Sequence, residues 1–238
     1  MIKSCNYLTT VIFLFLTVSL FAQDNNTVKI GFTDAFLGHY NLNYERHLTG
    51  NNSVQFKIGY FKPTTSPSIS DETITPSAYV LENSKGGLNT SLEYRFYVNS
   101  EEAGTGFYVA PYLRYLNQKM NYSDEIDGNN YGVDFKVNLL GAGAQLGYQL
   151  ILEERFILDF YFFGAGLDYY MVNMKYQLKQ PDPGFNYSSI TDDVSEVFED
   201  INYLHKKLDH NVNNDNLLTK LPFFFPGFRI GVNAGFIF

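Results

Sequence analysis

Residues Phe223–Phe238 read FFFPGFRIGVNAGFIF, and this stretch decides the fold class. Counting back in twos from Phe238 gives Phe236, Ala234, Val232, Ile230 and Phe228, all apolar. The alternate row is Ile237, Gly235, Asn233, Gly231, Arg229 and Gly227, small or polar apart from Ile237. A period of two is the strand period, because successive side chains point to opposite faces. An apolar row backed by glycine and polar residues suits a strand with lipid on one side and a crowded polar interior on the other. The stretch predicts the closing strand of an outer-membrane β-barrel, with Phe236 and Phe238 as its aromatic assembly signal.

Seven further alternating segments precede it: Val28–Phe36, Tyr40–Leu48, Ser53–Lys62, Gly87–Val98, Gly106–Met120, Gly132–Leu150 and Arg155–Leu178. In the sixth, Val133, Phe135, Val137 and Leu139 are read as outward-facing, followed by Leu140, Ala142 and Ala144 in the opposite parity. A similar change falls near Phe162-Phe163. One extra residue re-aims a strand, so a β-bulge is expected at each place. Pro111 lacks an N–H inside a strand and marks a further candidate bulge.

The connections alternate in length. Thr49–Asn52, Asn99–Thr105 and Ile151–Glu154 are short, whereas Lys62–Gly86, Asn121–Tyr131 and Lys179–Leu221 are long; Leu37–His39 is a short exception on the long side. Short periplasmic turns and long external loops give this alternation. The formal net charge is −8. The acidic excess lies in the three long connections, leaving strands and short turns balanced. A negative balance argues against a nucleic-acid partner and leaves the acidic loops available to an external one. The last long loop carries a helical stripe, Val194, Val197, Phe198, Ile201, Leu204 and Leu208, predicting one helix over 191–208 capped by Thr191. Its apolar stripe has to bury over the barrel mouth, at the membrane edge or against a partner.

Residues 1–22 read as a signal peptide, with Lys3 at the start, an apolar run Leu8–Phe21 and a cut before Gln23. Residues 23–238 are then the barrel domain. The single cysteine, Cys5, lies in that leader, so the mature chain carries neither disulfide nor thiolate chemistry. No other stretch reaches the roughly 18 consecutive apolar residues of a spanning helix. A chain that spans a bilayer without such helices does so as a closed barrel. Aromatic residues make up 17% of the chain against 18% charged, the balance of a surface that crosses a membrane interface. The expected fold is all-β: an eight-stranded antiparallel up-and-down transmembrane β-barrel with one helix in the last long loop.

The inward rows hold Lys29, Glu45, His47, Lys57, Glu93, Arg95, Arg114, Asp159 and Arg229. Both signs occur, and buried charges need partners. Eight strands enclose a space that side chains just fill. The expectation is a network of ion pairs filling the interior, with a narrow porin-like channel for small solutes as the alternative. A lipid-modifying enzyme is the second alternative. His47, near Glu45, is the one strand histidine in position for catalysis, and no serine stands out as its partner. Ser123, Glu125, Asp127, Gly128 and Asp134 loosely resemble a calcium loop, but Ser stands first and Asp replaces the final Glu, so a turn is the simpler reading. Neither catalytic, metal nor cofactor residues are expected.

The segments SLFAQ (Ser19–Gln23), NLNYERHL (Asn41–Leu48), SLEYRFY (Ser91–Tyr97), GFYVAPYLRY (Gly106–Tyr115) and the terminal GFIF together resemble the small eight-stranded outer-membrane β-barrels of Bacteroidota. That family is broadly similar to the OmpA transmembrane barrel and to OmpW-like proteins. The resemblance implies a cell outer-membrane location, reached through the periplasm, and insertion by the barrel-assembly machinery among outer-membrane lipid. It implies no particular activity. The peptidoglycan-binding role of OmpA is not implied, since no periplasmic domain follows the strand pattern.

Overall fold

A computed structural model of the chain describes residues 26–36, 38–48, 50–61, 86–98, 104–126, 129–180, 185–196, 198–213 and 216–238. The leader and most of the first long connection lie outside the described residues. The strands are β1 (Asn26–Gly31), β2 (His39–His47), β3 (Asn52–Phe61), β4 (Gly86–Val98), β5 (Gly106–Ile126), β6 (Asn129–Leu152), β7 (Phe156–Leu178), β8 (Asp209–Val212) and β9 (Leu217–Ile237). The helices are α1 (Phe32–Phe36), α2 (Ser189–Glu196) and α3 (Asn202–His205).

Each strand from β1 to β7 pairs antiparallel with the next, β7 pairs with β9, and β9 returns to β1. The closing register sets Val28 opposite Phe236 and Ile30 opposite Ala234. The result is an up-and-down sheet closed into a ring of eight strands, with β8 added to the upper edge of β9. Alternation decides what each face carries. Lys29, Asn43, Glu45, Gln55 and Arg95 are buried inside, while Ile30, Leu42, Phe56 and Phe96 are exposed outside. This is the reverse of a water-soluble sheet, whose apolar face turns inward.

The wall is uneven in height. Strand β1 has 6 residues, β2 has 9 and β3 has 10, whereas β5, β6, β7 and β9 have 21 to 24. The alternation of Val28–Phe36 predicts a longer first strand. Instead β1 stops at Gly31 and Phe32–Phe36 coils into α1. Helix α1 places the Asp34 carboxylate against Asn41 Nδ2 (2.5 Å) and Lys57 Nζ (3.3 Å), partners a continuing strand would not reach. Gly38, at φ 77°, then reverses the chain into β2 with its N–H on the Ala35 carbonyl.

The expected bulge at Phe162-Phe163 is present. Tyr161 pairs with Gly147 and Gly231, and the next matched residues are Phe163 with Leu146 and Gly164 with Arg229. The extra residue turns both phenylalanines outward and resets the parity, so Asp159 and Asp168 both face in. The other two expected bulges are absent. The β5–β6 ladder runs unshifted through Leu139 and Leu140. Val133 and Leu139 are therefore inward and buried, while Leu140 is exposed outside. Their inner face is apolar because the last long connection packs on it. Val133, Val172, Met174, Tyr176, Leu217 and Leu221 form one core with Tyr187, Ile190 and Val194 of that connection. At Pro111 the β4–β5 ladder lapses between Glu93–Tyr112 and Phe96–Val109 and resumes in the same register. A missing N–H interrupts pairing without adding a residue.

The stripe over 191–208 forms two helices, not one, and Thr191 lies inside α2, where its hydroxyl donates to the Ser188 carbonyl. A straight rod would carry the second half of the stripe away from the core. Turns at Phe198–Ile201 bend the chain so that Val194, Phe198, Leu204 and Leu208 all reach the same cluster.

Candidate functional site

The interior polar network is built in two layers. In the lower layer β1 supplies Lys29, β2 Glu45, β4 Glu93 and Arg95, and β7 Asp159. Lys29 Nζ lies 2.5 Å from Glu45 Oε2 and 2.9 Å from Asp159 Oδ2. Arg95 Nη1 reaches the same Asp159 oxygen at 2.9 Å, and its Nη2 reaches Glu93 Oε2 at 3.0 Å. The side chains of Lys29, Glu45, Arg95 and Asp159 have no solvent exposure.

Neutral groups add hydrogen bonds to the carboxylates. Tyr108 donates to Asp159 (2.7 Å), Tyr97 to Glu45 (2.7 Å), and Gln55 and Gln145 to Glu93. The Arg95 guanidinium also stacks 4.4 Å over the Tyr108 ring. Room for these rings comes from glycine. A Cβ on Gly147 would fall 2.2 Å from Tyr108 Cζ, and one on Gly143 would fall 2.6 Å from the Tyr112 hydroxyl.

Arg229 links the layers, with its Nη2 2.9 Å from Glu93 Oε1 and its guanidinium 4.5 Å over Tyr112. Above it Lys57 faces Asp34, and Arg114 forms a two-point ion pair with Asp168, Nε to Oδ1 at 2.9 Å. A cavity of about 370 Å³ opens between these groups, lined by Asp34, Lys57, Ser91, Arg114, Tyr161 and Arg229.

The eight charges singled out from sequence thus occupy one interior. Six of them, Lys29, Glu45, Glu93, Arg95, Asp159 and Arg229, form a continuous network. Lys57 and Arg114 sit above it in separate pairs. Two anionic members escaped the sequence reading. Asp34 lay in a segment read as outward-and-inward strand, and Asp168 follows the bulge, where parity counted from Asp159 fails. Phe236 faces outward at the closing seam between Val28 and Phe156. The Phe238 N–H donates to the Asn26 carbonyl just beyond β9.

His47 Nε2 lies 3.2 Å from Thr27 Oγ1, and its ring lies against Tyr97. No sequence signal pointed to the contact of Ser195 Oγ with His210 Nε2 (3.0 Å), nor to that of His210 Nδ1 with Thr219 Oγ1 (2.9 Å). Ser195 Oγ also donates to the Thr191 carbonyl (2.8 Å), so its proton stays within the helix. This trio acts as a clasp between α2, β8 and β9. Asp127 and Gly128 of the calcium-like run lie outside the described residues. Among the described residues no three His, Cys, Asp or Glu side chains gather as metal ligands.

A family model described as "protein of unknown function (DUF3575)" matches residues 8–189, most of the chain. The chain belongs to the DUF3575 family. The matched span of this DUF3575 member begins at residue 8, ahead of β1, and ends at Ser189, the first residue of α2. No curated protein and no solved structure matches it.

Proposed function

We propose that this DUF3575 protein is an eight-stranded outer-membrane β-barrel with a structural or surface-interaction role. One observation carries the reading: fully buried, mutually paired charges fill the inside of the ring while large apolar side chains stand exposed around its outside. In water that arrangement exposes apolar surface and buries charge, both unfavourable. In a bilayer the outer face meets hydrocarbon, and ring closure satisfies the backbone polar groups. Residues 1–22 then act as the export signal, the barrel-assembly machinery engages the Phe236 end, and the acidic long loops face outward toward a partner.

In this reading the buried ion pairs of the lower network fill the interior, so the barrel is not a pore. Catalysis has no place in this reading, because His47 and His210 serve as packing and clasp residues. The test uses the purified protein refolded in detergent. A heat-dependent shift in gel mobility and silent planar bilayers are expected. A single species soluble without detergent overturns the membrane reading, and reproducible single-channel steps overturn the sealed interior.

A further inference from the structure

One edge of β9 is left open, and the sequence is adapted to that opening. Main-chain polar groups of alternate strand residues point to opposite neighbours. The Ile237 N–H donates toward β7, to the Arg155 carbonyl, whereas the Phe238 N–H donates toward β1, to Asn26. The Val232 N–H also points to the β1 side, where it meets Thr33 Oγ1 on α1 (3.0 Å). Even-numbered residues of β9 therefore face β1. But β1 covers only Asn233–Ile237, and β8 covers only Leu217–Lys220. Among the described residues no strand pairs this edge from Leu221 to Val232.

The even positions there are Pro222, Phe224, Pro226, Phe228, Ile230 and Val232. The two prolines have no N–H to leave unpaired, the usual treatment of an edge. The Phe224 N–H reaches the Tyr203 hydroxyl (3.4 Å). Among the described residues only the Phe228 and Ile230 N–H groups then remain, and both residues line the 370 Å³ interior cavity. Their side chains are 72% and 74% exposed on the outside. The wall thus has a window through which a polar cavity opens between apolar side chains.

Two more observations say what fits. Inside, Arg229 Nη1 and Ser91 Oγ are buried with no hydrogen-bond partner. The Arg229 side chain is 8% exposed, so its free donor is held out of water beside the cavity. With the two edge N–H groups these unpartnered groups are predominantly donors, the complement of an anion, and Lys57 Nζ, held 3.3 Å from Asp34, lines the same cavity. Outside, an apolar groove of about 540 Å³ runs past Ile30, Ala35, Tyr40, Ile58, Tyr60 and Leu88. Cavity and groove share no lining residue but adjoin along the chain at α1 and the start of β2, where Asp34 and His39 line one and Ala35 and Tyr40 the other. A cavity this size is at the small end for ligand sites. It takes a head group, not a whole lipid.

We propose that the window admits a single-chain amphipathic anion from the bilayer, its carboxylate or phosphate head held by Arg229, Ser91 and Lys57 and its hydrocarbon tail in the outer groove. This rests on the membrane reading above. The test is displacement of cis-parinarate from the full mature protein in nanodiscs of zwitterionic phospholipid. Oleate and monododecyl phosphate should compete. Oleyl alcohol should compete about tenfold more weakly, the worth of one charge-assisted hydrogen bond. Acetate and inorganic phosphate should not compete at all. Arg229→Gln should weaken oleate about tenfold or more, and Ser91→Ala, which breaks no ion pair, severalfold. Equal binding of oleate and oleyl alcohol with both variants unchanged overturns the proposal in favour of plain apolar partition. Full displacement by acetate or phosphate overturns the lipid source. Heat-dependent gel mobility of the same samples separates the two readings: a heat-shifted barrel that binds no oleate refutes the window site alone, and an unshifted protein refutes the barrel.

Discussion

Asp159→Ala probes the interior network at its most shared acceptor. Asp159 accepts from Lys29 Nζ and Arg95 Nη1, both at 2.9 Å, from the Tyr108 hydroxyl at 2.7 Å and from Asn233 Nδ2 at 3.2 Å. Each hydrogen bond to a charged group is worth about 1.5–3 kcal/mol, but members of one network are not additive. Lys29 keeps Glu45 and Gln149, and Arg95 keeps Glu93, so neither cation is stranded. What is lost is charge balance, in a place that water does not reach. Removing one partner of a buried pair costs about 3–5 kcal/mol. With a urea slope of about 2 kcal/mol/M, the unfolding midpoint should fall by about 2 M. The assay is urea unfolding of the detergent-folded protein, followed by tyrosine fluorescence and gel mobility together. Asp159→Asn preserves the volume and should retain part of the stability, which separates charge from cavity. A double-mutant cycle with Lys29→Met should show a coupling of about 1–3 kcal/mol. A midpoint shift below about 0.5 M, or zero coupling, would refute the network as a stabilising element.

Other outcomes follow from packing and from the outer clasp. Gly147→Val sets a side chain 2.2 Å from Tyr108 Cζ and 2.7 Å from the Phe160 carbonyl, and should cost upward of about 3 kcal/mol, read as loss of the heat-shifted species. Val194→Asp places a charge in the buried cluster under α2 and should release that segment to limited proteolysis while the strands stay protected. Burial holds the His210 pKa below its ordinary 6.5, more strongly than Asp209 and Asp192 raise it, and His205 adds to the lowering. The folded state then binds the proton less readily than the unfolded one, so the clasp loses stability as pH falls through about 6.5 and is unaffected above it. Hydrogen exchange in α2 and β8 should quicken on acidification, and His210→Gln should remove that dependence.

How much was legible in the sequence differs from segment to segment. The period of two in Phe223–Phe238 named a strand, its inward Arg229 and its outward Phe236 without any knowledge of neighbours. The same count placed Lys29, Glu45, Glu93, Arg95 and Asp159 inside. It failed at Val133–Leu139, where apolar residues were assigned outward because an interior was assumed to be polar throughout. It failed also at Phe32–Phe36, whose alternation suits a strand but whose Asp34 finds partners only as a helix. The window site was invisible for the same reason: nothing local to Pro222 and Pro226 says that the edge they face lacks a neighbouring strand.

By itself the sequence determined the eight strands of the ring, their order, and which charges share an interior. Those properties are local, set by a side-chain direction that reverses at every residue. It missed β8, and Asn121–Tyr131, read as a long connection, instead continues the β5–β6 ladder as far as Ile126 and Asn129. Tertiary structure alone decided where β1 stops, which apolar face the α2–α3 segment covers, and that among the described residues no strand pairs the β1-side edge of β9 between Leu221 and Val232. Those depend on what lies opposite a residue in space. The Cβ direction of a strand says which side a group faces but not what waits there.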